Sequence, residues 1–156
     1  AEADPDSNFL GVEVHKPGVG KLLHQVEQRG LTNVRLIHED ALLVVEHMLP
    51  PSCVDGVLLF FPDPWPKTRH HKRRIVRDSF TGLLSSRIRA GGFLYMVTDW
   101  VPYAEWSLEV LSRTPGLVNA YDGYAPPQPW RPTTAFERKG VSAGHEIREL
   151  YFRRES

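Results

Sequence analysis

The sequence predicts an α/β protein: a mainly parallel sheet with helices on both faces. Three observations carry this. Short apolar runs alternate with stretches of helical periodicity along the chain. The run "VDGVLLFF" (54–61) is apolar enough to be a strand covered on both faces. Helix start and stop residues, Pro17 and Gly30 among them, stand where that alternation needs them.

In chain order, "NFLGVEVH" (8–15) reads as a buried strand ending at Glu13. A helix follows from Lys16, with Pro17 in its first turn, Leu22, Leu23 and Val26 on one face, and Gly30 at its end. "NVRLIHEDA" (33–41) is a second strand, and "ALLVVEHML" a short helix stopped by Pro50 and Pro51. After the 54–61 strand, "RDSFTGLLSSRIRAGG" sets Phe80, Leu83, Leu84 and Ile88 at helical spacing and is expected to stop at Gly91–Gly92. "GFLYMVTDW" (92–100) is a fourth strand, "PYAEWSLEVLSRT" a helix with Pro102 near its start, and "GLVNAY" a short fifth strand. Residues 122–134, rich in Pro, Gly and Thr, read as loop. "HEIRELYFRR" (145–154) alternates like a half-exposed final strand.

Composition narrows the function classes. The chain has 156 residues, 41% of them hydrophobic, enough for one compact domain. Its 19 basic and 19 acidic residues balance, yet Lys67, Arg69, Lys72, Arg73, Arg74 and Arg77 crowd into eleven positions. A local cationic patch on a neutral protein points to a localised anionic partner. Cys53 is the only cysteine, so no intrachain disulfide and no cysteine-rich zinc site can form, and a reduced, cytosolic setting fits. The seven histidines leave a His/carboxylate site formally open, but His15, His24, His38 and His47 show no ligand spacing and read as structural, and no metal site is expected. No apolar run approaches the roughly 18–20 residues that span a bilayer.

In open α/β sheets, ligands sit outside the carboxyl ends of the strands. That rule selects Glu13, Asp40, Asp63 and Asp99, each within a few residues of a predicted strand end. Asp63 lies between Pro62 and Pro64, which fix the backbone on either side. An acid after the second strand of a nucleotide-binding βαβ unit follows a glycine loop by about 20 residues. Counting back from Glu13 leaves the sequence, and "KPGVGK" (16–21) is not such a loop. The chain is therefore expected to lie downstream of a first strand and glycine loop, as a single domain over 1–156. By itself it is expected to bind cofactor poorly and to leave two strand edges unpaired.

The motifs "FLGVEVHKPGVG", "HEDA", "LFFPDPWPKTRHHKRRIV", "TDWVPYAEW" and "RPTTAFERKG" together resemble the bacterial tRNA (guanine-N7)-methyltransferase family. "FFPDPWPK" followed by "RHHKRR" is the specific part. The resemblance implies a Rossmann-like class I methyltransferase fold with an antiparallel last strand. It implies S-adenosylmethionine as cofactor, tRNA as partner and a guanine N7 in the tRNA variable loop as acceptor. It further implies a cytoplasmic protein with no membrane partner, and leaves monomer or homodimer open. Carried over by position, Glu13 would hold the cofactor ribose and Asp40 would lie by its adenine. Asp63 would be the catalytic aspartate and contact the cofactor. Lys67, Asp99, Thr134, Ala135, Phe136 and Glu137 would bind substrate. Arg69, His70, His71, Lys72, Arg73 and Arg74 would contact tRNA. Ala135 stands where some members carry a basic residue.

The chemistry of the groups agrees with this. Guanine N7 carries a lone pair and no proton, so methylation needs alignment and accommodation of positive charge rather than an obligatory base. A carboxylate can accept from guanine N1–H and N2–H and favours a ring becoming cationic. Asp63 suits that task, with Asp99 or Glu137 sharing the base edge, while the cationic run meets phosphates. Trp65, Trp100 and Trp130 could stack on a base or anchor loops. Three other readings remain: a class I methyltransferase for a small molecule or protein, a dinucleotide-dependent oxidoreductase, and a non-catalytic RNA-binding module.

Overall fold

A computed structural model describes all 156 residues. The chain divides into two compact units, Ala1–Leu49 and Pro50–Ser156.

The first unit is β1 (Phe9–Val12), α1 (Lys16–Gln28), β2 (Val34–Ile37) and α2 (Ala41–His47). The strands pair in parallel, from Phe9 opposite Val34 to Val12 opposite Ile37. Pro17 occupies the first turn of α1, where its missing N–H has no partner to lose. Gly30, at φ +61°, turns the chain out of the helix in a conformation most residues avoid. The Asn33 side-chain amide donates to the carbonyls of Asp4 and Ser7, which ties the polar leading segment down. Leu22 and Leu23 keep 38% and 52% of their surface exposed, and none of that helix is fully buried.

The second unit holds a four-stranded sheet, β3 (Val54–Phe60), β4 (Ile88–Thr98), β5 (Leu117–Asn119) and β6 (Arg148–Arg154), in the order β3-β4-β6-β5. β3 and β4 are parallel, while β6 runs antiparallel to both β4 and β5. Its helices are α3 (Asp78–Arg87), α4 (Val101–Ser112) and α5 (Ala135–Ser142), with a 3-10 helix over Thr68–Arg73. The core joins Phe80 and Leu84 of α3, Tyr103, Ala104, Val110 and Leu111 of α4, and Leu94, Met96, Leu150 and Phe152 of the sheet. β1 and β3 each pair on one side only, so the strands form two sheets, with the two unpaired strand edges that the sequence led us to expect.

Four expectations change. The α3 helix stops at Arg87, not at Gly91–Gly92. Ile88 already pairs with Val54, and the register then shifts before Gly56 meets Phe93. The glycines serve that irregularity: a Cβ on Gly92 would lie 2.5 Å from the Asp55 carbonyl oxygen, and one on Gly56 2.4 Å from the Phe93 ring. β3 is not covered on both faces, because Leu58 and Phe60 remain 39% and 42% exposed. β6 is not simply half-exposed, since Glu149 on its polar phase is buried. Helix α5 and the 3-10 helix lie where no helix was expected.

Candidate active site

The four strand-end acids appear as two pairs, each at the carboxyl edge of its own sheet. In the first unit Glu13 follows β1 directly, and its Oε1 accepts from the His15 backbone N–H at 2.9 Å. Asp40 is the N-cap of α2, its Oδ1 accepting from the Leu42 N–H at 2.7 Å. Both side chains are exposed, and each keeps a second carboxylate oxygen for a ligand. That pair of acceptors fits a nucleoside: ribose hydroxyls and an adenine amino group all donate, and carboxylate oxygens only accept.

In the second unit the β3 exit is fixed by backbone. Phe61 donates its N–H to the Val97 carbonyl at 2.8 Å, then the chain turns through left-handed conformations at Phe61 (φ +48°) and Trp65 (φ +44°). Non-glycine residues in that region cost of order 1–3 kcal/mol each, and persist only where their surroundings dictate them. Pro62, Pro64 and Pro66 stiffen the same five-residue arc. At its apex Asp63 is exposed, and its carboxylate takes no hydrogen bond from the chain.

The strut beneath this arc is Arg74. Its Nε donates to the Pro64 carbonyl at 2.8 Å, and its guanidinium lies 5.0 Å from the Tyr103 ring and 5.1 Å from that of Trp106. Arg74 is only 2% exposed, and burial draws its pKa below the usual arginine value. Tyr103 in turn presents its hydroxyl oxygen to the Val76 N–H, and burial pushes its phenol up to about 12. Of the six residues expected to touch tRNA, Arg74 therefore faces inward. His70 and His71 are half-buried: His70 lies edge-on to Trp65, and His71 to Trp106. Arg69, Lys72 and Arg73 face solvent together with Lys67, and none of these four pairs with a carboxylate. Arg73 lies 5.0 Å over the Trp65 ring, which holds its charge beside the Asp63 arc.

At the β4 exit, Asp99 Oδ2 lies 2.8 Å from His145 Nδ1. Helix α5 backs it closely, for a Cβ on Gly140 would fall 3.1 Å from the same oxygen. The start of α5 is a capping box. Thr134 accepts from the Glu137 N–H at 3.0 Å, and the Glu137 side chain reaches back to the Thr134 N–H. Phe136 packs on Phe61 with ring centroids 5.0 Å apart, while Ala135 is exposed. Glu137 itself is buried, and both its oxygens accept from Arg131, at 2.5 and 2.9 Å. Those bonds hold its carboxyl below the usual glutamate range. Asp99, with one oxygen free, is thus better placed than Glu137 to share a base edge.

Trp100 is partly exposed and lines a cleft of about 380 Å³ with Pro66, His71, Glu105 and Trp106. Trp130 stands edge-on to Tyr95, 5.1 Å away, as a loop anchor. Sequence reasoning missed Arg131 and the inward turn of Arg74. It also missed α5, for which Thr134-x-x-Glu137 was the available signal. No three His, Cys, Asp or Glu side chains converge to hold a metal ion, and no helix is long and apolar enough to cross a membrane.

The family described as "Putative methyltransferase" matches residues 1–150. A tRNA (guanine-N(7)-)-methyltransferase of Nitrosospira multiformis is 53% identical over 154 residues, which cover 99% of this chain and 67% of that protein. Its namesake from Paraburkholderia xenovorans is 52% identical over 150 residues, covering 96% of this chain and 58% of that one. The chain thus spans little more than half to two thirds of these relatives. Among solved structures, a SAM-dependent O-methyltransferase from Thermotoga maritima superposes with a TM-score of 0.60 at 15% identity, over 97% of this chain and 51% of that one. That likeness supports the fold: Rossmann-like, α/β, of the methyltransferase type.

Proposed function

The chain belongs to the tRNA (guanine-N(7)-)-methyltransferase family, and from that premise we propose that it methylates N7 of a guanine in tRNA, in the variable loop, as one methyltransferase domain of a cytoplasmic protein. The observation that carries this reading is the Asp63 arc: an unengaged carboxylate on a rigid strand exit, followed at once by four solvent-facing cations.

S-adenosylmethionine, when bound, supplies a methyl group on a sulfonium. Glu13 and Asp40 would hold its ribose and adenine. Asp63 would accept from the N1–H and N2–H edge of the guanine, which fixes the ring. When N7 bonds the methyl carbon as its third substituent, the sulfur–methyl bond breaks, a neutral thioether leaves and the positive charge passes to the purine, where the carboxylate already facing the ring would stabilise it without moving. No proton has to be removed from N7. Asp99 reinforces the same edge through its free oxygen, and Phe136, exposed beside Phe61, offers an apolar surface against the base. Lys67, Arg69, Lys72 and Arg73 take the flanking phosphates, which position the substrate without reading its sequence.

A small-molecule methyltransferase has no use for four unpaired cations beside its acid. The test is transfer of labelled methyl from S-adenosylmethionine to unmodified tRNA, followed by nucleoside analysis. Label in 7-methylguanosine supports the reading. Label elsewhere, or transfer only to small acceptors, contradicts it.

A further inference from the structure

Arg131 lies on a loop, outside every strand and helix, yet its side chain is only 6% exposed. Four of its N–H bonds are spent on three partners. One terminal nitrogen donates to Glu137 Oε2 at 2.5 Å; the other donates to Glu137 Oε1 at 2.9 Å and Glu149 Oε1 at 2.7 Å. Nε donates to the Tyr95 hydroxyl at 2.9 Å, and that hydroxyl donates onward to the second oxygen of Glu149. Tyr95 belongs to β4, Glu149 to β6 and Glu137 to α5. One planar cation therefore fastens the first turn of α5 to two adjacent strands.

What α5 touches gives this fastening a consequence. Phe136 packs on Phe61, two residues before Asp63, and Gly140 lies against Asp99. His145, whose backbone N–H donates to the Gly140 carbonyl, pairs with Asp99 directly. A single short helix thus backs both strand exits that carry the proposed base-binding acids. Eight residues have little helical stability of their own, so their placement depends on tertiary anchors.

We infer that Arg131 is a positioning residue for methyl transfer, locking α5 to the sheet so that the exits bearing Asp63 and Asp99 hold one relative arrangement. It touches neither substrate nor cofactor and works through Glu137. The inference rests on the methyl-transfer reading above for its kinetic consequence, but the lock itself can be tested without activity.

Arg131→Lys keeps the charge and loses the planar fork. In this variant, hydrogen exchange of the α5 amides is expected to accelerate at least tenfold relative to those of α4, beyond what the accompanying fall in the thermal midpoint accounts for. Methyl transfer is expected to lose about tenfold or more in kcat, while tRNA affinity stays within about threefold, because the phosphate-binding cations are untouched. Tyr95→Phe, which removes one hydroxyl from the network, is the milder second variant and is expected to shift both readouts in the same direction. Unchanged α5 exchange in both variants overturns the lock. Accelerated exchange with wild-type kcat overturns the positioning role. A wild-type protein unable to methylate tRNA contradicts the functional reading instead, and leaves the exchange comparison to decide the lock.

Discussion

Asp99 and His145, 46 residues apart in sequence, meet through a 2.8 Å contact between Oδ2 and Nδ1, which joins the exit of β4 to the segment following α5. An ionised aspartate only accepts, so the histidine carries its proton on Nδ1 in this pair. The contact orients the Asp99 carboxylate and leaves Oδ1 without a hydrogen-bond partner in the chain.

Crowding that carboxylate should impair chemistry before it impairs folding. A Cβ at residue 140 would press on Oδ2 from 3.1 Å, closer than ordinary van der Waals contact. Gly140→Ala is therefore expected to lower kcat by roughly tenfold, with the melting temperature little changed. His145→Phe, which removes the orienting N–H, is expected to act in the same direction. Steady-state kinetics beside a thermal melt checks both.

Neighbouring arginines should give opposite phenotypes. Arg73 faces solvent over Trp65, and Arg74 is buried beneath Pro64. Arg73→Ala is expected to weaken tRNA binding and reduce the log–log salt slope by about 0.7–0.9, one phosphate contact. Arg74→Ala is expected to cost stability instead, of order 2–3 kcal/mol for a buried charge-assisted hydrogen bond and its aromatic contacts. Binding measured between low and moderate salt, with a denaturant titration of each variant, separates the two.

Stability should fall at both ends of the pH scale, by different groups. Arg131 holds the Glu137 carboxyl below its ordinary value of 4.5. A depressed pKa gives stability that is full above that ordinary value and is lost as pH drops through the lower, folded one. The protection of the α5 amides, their exchange taken relative to the intrinsic rate at each pH, should therefore fall in acid. Burial raises the Tyr103 phenol from 10 to about 12, so the corresponding stability is full below pH 10 and is lost as pH rises toward 12. Tyr103→Phe should flatten the alkaline decline, at the cost of the bond to Val76. Denaturant midpoints across the pH range give both slopes.

What the sequence disclosed follows the range of the forces involved. Local signals were legible: Pro17 and Gly30 bracket α1, and Pro102 marks the start of α4. The exits after β3 and β4, with Asp63 and Asp99, were legible because the side-chain alternation and the flanking prolines are local too. Ile88 was misplaced because its spacing from Leu84 fits a helix, while its actual partner, Val54, is 34 residues away. Arg131 was invisible for the same reason, since Tyr95, Glu137 and Glu149 meet only in the folded unit. Arg73 and Arg74 look alike in sequence, and only the cage of Tyr103 and Trp106 tells them apart. Helix α5 could have been read from Thr134 and Glu137, but the Pro-rich run before it masked the signal.

Asp63 is the residue proposed to fix the guanine and stabilise its developing charge. Asp63→Asn keeps the size and the Pro-bounded backbone but removes the negative charge. The decisive measurement is single-turnover methyl transfer to tRNA by this variant beside tRNA affinity measured separately. The transfer rate is expected to fall about a hundredfold or more, with affinity within a few-fold of wild type. Near-normal transfer by the asparagine variant would contradict that role.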